Sequence, residues 1–169
     1  GPYVGRAPDL AEHVSGVELN PMEHARASAI AVRPAAAYLR GTFDWHIDGC
    51  TDDIPIMATM LSAHAVADQG GETEFASTYA PYDALTDEEK ERFESVRVVH
   101  TIEASQRLAF PDPSPEEVAR WRKRPAKVHP LVWTHRSGRR SLVLGATTDH
   151  VVGMDADEGH ALLDHLLAR

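Results

Sequence analysis

The sequence predicts a mainly β domain with helices at its periphery. Three observations point there. Apolar runs of strand length recur along the chain, two capping boxes announce short helices between them, and an acidic cap opens a final helix. At 169 residues the chain is long enough to bury a core of its own, so residues 1–169 are read as a single domain.

Residues 1–40 carry scattered apolar residues and prolines, in which Ser28 to Val32 and Ala35 to Leu39 are candidate strands. Ile54 to Ala67 is expected to be a strand buried on both faces, because Ile54, Ile56, Met57, Met60, Leu61 and Val66 occupy both alternating sets. Gly70-Gly71 breaks it, and Thr73 to Phe75 resumes an extended run. Thr86-Asp87-Glu88-Glu89 is a capping box that opens a helix to about Ser95. Val96 to Thr101 follows as a strand. Ser114-Pro115-Glu116-Glu117 is a second capping box, with proline suited to the first helical position, and its helix runs to about Lys123. Leu131 to His135 and Ser141 to Leu144 flank the turn signal Arg136-Ser137-Gly138 and predict a hairpin. Asp155-Ala156-Asp157-Glu158 opens the last helix, whose apolar stripe includes Leu162, Leu163, Leu166 and Leu167.

Composition narrows the function. The net charge of −9 argues against nucleic acid, which asks for a basic face. A small anion needs only one or two local cations, so an anionic substrate stays open. No run approaches the roughly 18 apolar residues of a membrane span, and no secretory signal pattern opens the chain. The lone Cys50 cannot form an internal disulfide, and a cytoplasmic setting is expected. Cys50 lies two residues after Asp48, yet no motif of a nucleophilic cysteine surrounds it, and it reads as a packed thiol. Ten histidines raise the prospect of a metal site.

The candidate site is His46-Ile47-Asp48. On a strand, residues i and i+2 share a face, so this histidine and carboxylate can grip one ion. A second histidine would complete a 2-His-1-carboxylate triad, which leaves positions of octahedral iron(II) open. Alone, such a triplet is within reach of chance in a chain rich in histidine and aspartate.

The order of neighbouring motifs adds to it. Trp45-His46-Ile47-Asp48-Gly49, Gly70-Gly71-Glu72-Thr73-Glu74-Phe75, Tyr82-Asp83-Ala84-Leu85, His129-Pro130-Leu131-Val132-Trp133-Thr134-His135, Ser137-Gly138-Arg139-Arg140-Ser141-Leu142 and Gly145 through Met154 follow one another. Together, over about Phe43 to Arg169, they resemble the taurine and 2,4-dichlorophenoxyacetate dioxygenase family. The resemblance implies an incomplete double-stranded β-helix, or jelly roll. It implies iron(II) as the metal and 2-oxoglutarate as co-substrate, with His46 and Asp48 as catalytic iron ligands. It implies that Thr73 hydrogen-bonds a 2-oxoglutarate carboxylate. The implied chemistry decarboxylates 2-oxoglutarate to succinate and carbon dioxide, and an iron(IV)-oxo species then hydroxylates a small sulfonate, carboxylate or aryloxyalkanoate.

The chain departs from the family pattern at one place. The distal iron histidine, in a W-D-N-x-x-x-x-H motif, and the following arginine for 2-oxoglutarate are not in these residues. The chain therefore reads as part of a longer enzyme, with a non-catalytic fragment or relative as the alternative; a metallohydrolase using a local histidine is a third, weaker one. His129 and His135 match positions that are not ligands in the family, and His100 reads as a core histidine. His160 and His165 read as solvated or interfacial, and His13, His24 and His64 carry no spacing signal. His150 and the small Ala146 fall in the stretch that lines the substrate side in relatives. Arg107 or His150 could meet a substrate anion; the plainer assignments are a surface charge for Arg107 and a structural role for His150. Homo-oligomerisation is left open.

Overall fold

A computed structural model of the chain describes residues 44–62 and 73–168. Its contacts divide the chain into two units, one of Gly1–Val32 and Met57–Ser77, the other of Arg33–Ile56 and Thr78–Arg169. The candidate strands before Gly41, and the residues from Ala63 to Glu72, lie outside the described residues.

The described parts of the first unit, residues 57–62 and 73–77, form no helix or strand ladder. The strand expected from Ile54 is therefore corrected over its described part. Ile54 is 76% exposed and Leu61 70% exposed, which no doubly buried strand would be. Pro55 has no N–H for a ladder, and Ile56 and Met60 are exposed as well. Thr73 to Phe75 likewise pair with no strand among the described residues.

The second unit is built on a three-stranded antiparallel sheet. Its centre is β1 (Arg97–His100), flanked by β2 (Lys127–Pro130) and β5 (Thr148–Val151). Val98 faces His129 on one side and Val151 on the other, and the β1–β5 register shifts between Val99 and His100. The predicted strand at 96–101 thus becomes β1, whose last three residues are buried. The predicted hairpin forms from β3 (Val132–Thr134) and β4 (Arg140–Leu142), with Gly138 N–H donating to the His135 carbonyl in the turn.

Both capping boxes are complete. Thr86 opens α2 (Asp87–Phe93) and exchanges bonds with Glu89; Ser114 opens α4 (Pro115–Trp121) and exchanges bonds with Glu117. The last helix, α5 (Ala156–Leu167), starts where Asp155 accepts from the amides of Asp157 and Glu158. Leu163 and Leu166 of its stripe are buried, whereas Leu167 is exposed. Two helices were not foreseen: α1 (Tyr79–Asp83), whose Thr78 makes no side-chain cap, and α3 (Ile102–Ala109), capped by Thr101 without the reciprocal glutamate. Tyr82, Leu85, Phe93, Val98, Leu131, Leu142, Val151, Leu163 and Leu166 join helices, sheet and hairpin in one core.

Candidate active site

His46 and Asp48 do not lie on a strand. Trp45 to Ile47 is irregular and Asp48 to Cys50 is a turn, so same-face alternation is not what brings the pair together. They converge all the same, with His46 Nε2 3.5 Å from Asp48 Oδ1 and both side chains nearly half exposed. His46 Nδ1 lies 2.9 Å from the Asp44 carbonyl. A carbonyl only accepts, so Nδ1 carries a proton and donates, which leaves Nε2 as the ring nitrogen that faces Asp48.

The loop is held by residues far along the chain. The Ala146 amide donates to the Trp45 carbonyl at 2.8 Å. His129 Nε2 donates to the buried Cys50 carbonyl at 3.0 Å. Gly145 packs so tightly that a Cβ there would stand 2.8 Å from the Trp45 oxygen and 3.1 Å from His46 Cα. Arg124 pairs with Asp52, and Lys127 with Asp53.

Ala146 is thus brought beside the His46 backbone. His150 lies on β5, exposed, with Nδ1–H donating to Asp149 at 2.6 Å. Asp149 in turn accepts from the Thr101 hydroxyl at 3.3 Å. Asp149 was not singled out from the sequence, although its adjacency to His150 is a visible signal. Thr73 belongs to the first unit and is exposed.

The remaining candidates resolve as structural. Burial, and secondarily the Asp48 charge, push the Cys50 thiol up to about 11, so it stays protonated and inert. His100 is fully buried, its Nδ1 3.0 Å from the Thr147 hydroxyl, and burial with the neighbouring His129 lowers it to about 4. His135 bonds the Ser141 hydroxyl, and His165 on α5 lies 3.9 Å from Glu89. Arg107 is committed to Glu103, which also takes Arg122, and this supports the surface-charge assignment.

The geometry fits a metal's first two donors. Two cis donors on an octahedral ion at about 2.1 Å stand roughly 3 Å apart, close to the separation of His46 Nε2 and Asp48 Oδ1. The Nδ1–H bond to a main-chain carbonyl is the usual way a ligating imidazole is oriented. Among the described residues no group of three or more His, Cys, Asp or Glu converges, so a third ligand would come from elsewhere. Among them, too, no helix is long and apolar enough to cross a membrane.

Comparison with known proteins bears on what such a pair does. The family described as "Taurine catabolism dioxygenase TauD, TfdA family" matches residues 4–168. The chain is 37% identical over 124 residues to the alpha-ketoglutarate-dependent 2,4-dichlorophenoxyacetate dioxygenase of Cupriavidus pinatubonensis, covering 73% of this chain and 42% of that protein. It is 31% identical over 134 residues to the (S)-phenoxypropionate/alpha-ketoglutarate-dioxygenase of Sphingobium herbicidovorans, covering 76% and 47%. The solved structure of AAD-2 in complex with Mn(II) and N-oxalylglycine superposes with a TM-score of 0.64 at 31% identity, covering 78% of this chain and 52% of that one. The chain thus spans less than half the length of either curated relative.

Proposed function

Because the chain belongs to the taurine catabolism dioxygenase TauD, TfdA family, we propose that the protein is an iron(II)- and 2-oxoglutarate-dependent dioxygenase that hydroxylates a small anionic substrate. The proposed fold is the family's jelly roll, to which this chain contributes one part of a single domain. The observation that carries the proposal is the convergence of His46 Nε2 and Asp48 Oδ1, with the imidazole tautomer set by Asp44.

Each residue then has a task. His46 and Asp48 would hold the metal; among the described residues no third His, Cys, Asp or Glu joins them. Bound iron(II) supplies the redox centre at which dioxygen is spent while 2-oxoglutarate is decarboxylated to succinate and carbon dioxide. Thr73 donates its hydroxyl to a 2-oxoglutarate carboxylate. Ala146, small and beside the His46 backbone, leaves room on the substrate side. His150, oriented by Asp149, is the residue assigned to meet the substrate anion. An aryloxyalkanoate is the favoured class, in keeping with the two relatives named above; sulfonates and other carboxylates are the alternatives within it.

The test is succinate formation by the whole protein with iron(II), 2-oxoglutarate and oxygen across a panel of phenoxyalkanoates and sulfonates. Asp48→Ala should abolish it. Undiminished iron-dependent turnover in that variant would refute the ligand assignment, and absence of succinate in the unaltered protein would refute the activity.

A further inference from the structure

We infer that His129 is a positioning residue for the His46–Asp48 pair and acts through the main-chain carbonyl of Cys50. The inference rests on the proposed metal-binding role of that pair. Cys50 lies two residues past Asp48 and is buried, so its carbonyl needs a protein donor. His129 Nε2 supplies it at 3.0 Å. A carbonyl only accepts, so the His129 proton sits on Nε2.

The donor is itself held. His129 is on β2, opposite Val98 of the central strand. Its ring packs between those of His100, 5.5 Å away, and Trp133, 6.4 Å away. At the other end of the loop, the Ala146 amide bonds the Trp45 carbonyl. Two carbonyls therefore bracket the ligand pair, one tied to β2 and the other to the turn before β5. The outer pairs Arg124–Asp52 and Lys127–Asp53 each have at least one half-exposed or more exposed partner and join side chains only, so they orient the main chain less than a buried hydrogen bond does. Without His129, the Asp48 side of the loop keeps its own turn bond, Asp52 N–H to the Gly49 carbonyl, and the Lys127–Asp53 ion pair, but its main chain loses the hydrogen bond to β2.

Four forms of the whole protein test this: unaltered, His129→Leu, His129→Gln and His135→Leu. His135 is the control, because it bonds Ser141 within the hairpin and does not touch the loop. Two quantities are read, Mn(II) affinity by electron paramagnetic resonance and amide hydrogen exchange at Asp52 and Ala146. His129→Leu should weaken Mn(II) binding about 10- to 100-fold, the usual cost of losing a group that orients a metal ligand, and should speed exchange at both amides. His129→Gln, which restores an Nε2–H donor, should recover most of both. His135→Leu should change neither. Unaltered affinity and exchange in His129→Leu would overturn the inference, as would equal losses in His135→Leu. If Asp48→Ala leaves Mn(II) binding unchanged, the proposed function fails instead, and the exchange data alone then decide whether His129 orders the loop.

Discussion

Replacing Gly145 with alanine should damage the protein twice over. Gly145 has φ +152, a region that costs side-chain-bearing residues about 1–3 kcal/mol. The new Cβ would also stand 2.8 Å from the Trp45 carbonyl oxygen and 3.1 Å from His46 Cα. Both neighbours are backbone, so neither can swing aside as a flexible side chain would, and such overpacking costs about 1–3 kcal/mol more. The sum is roughly 2–6 kcal/mol. Gly138 is the control: its φ is +84, but nothing lies within 4 Å of its would-be Cβ, so Gly138→Ala carries only the backbone cost of about 1–2 kcal/mol. Urea unfolding of both variants measures the difference, which belongs to the contact with the ligand loop. Mn(II) affinity should fall in Gly145→Ala and hold in Gly138→Ala, because only Gly145 touches that loop. If Gly145→Ala lost no more stability than Gly138→Ala and bound Mn(II) as before, the close packing of the 145–146 turn on His46 would be refuted.

Two further outcomes follow from buried groups. His100 is held down to about 4, first by burial and then by His129, whereas in the unfolded chain it takes its proton near ~6.5. The folded state therefore binds fewer protons between these values, so stability is full above about pH 6.5 and falls by up to about 3 kcal/mol as pH drops toward 4. An NMR titration of His100 near its ordinary value would contradict this. Cys50, pushed up to about 11, should resist iodoacetamide at pH 8 until the protein is denatured; native alkylation at the denatured rate would show that the thiol is neither buried nor protonated.

What was legible in the sequence was what is encoded locally. Thr86 with Glu89, and Ser114 with Glu117, declare their helices because donor and acceptor lie three residues apart and need no tertiary partner. The hairpin at 132–142 was legible for the same reason, through its turn. β2 and β5 were not: Lys127-Val128-His129-Pro130 and Thr148-Asp149-His150-Val151 show no apolar alternation, and they become strands by pairing with the buried β1. The error at Ile54 ran the other way. An apolar run states that a segment can be buried, but not that anything covers it.

The candidate site divides along the same line. His46 and Asp48 were found from their spacing, but the strand that was to make the spacing work is absent. A two-residue separation permits convergence on a strand or across an irregular segment entering a turn, and the spacing alone does not choose between them. What selects the geometry here is a set of contacts contributed by residues later in the chain: the Ala146 amide on Trp45, the bare Cα of Gly145 against His46, and His129 beneath Cys50. Each lies between 79 and 101 positions from its partner, beyond the reach of any local pattern. The motif thus names the proposed ligands, and the sheet that carries His129, with the 145–146 turn that precedes β5, gives the pair its shape. A change at one of these supporting positions should therefore disturb metal binding while leaving His46 and Asp48 themselves untouched.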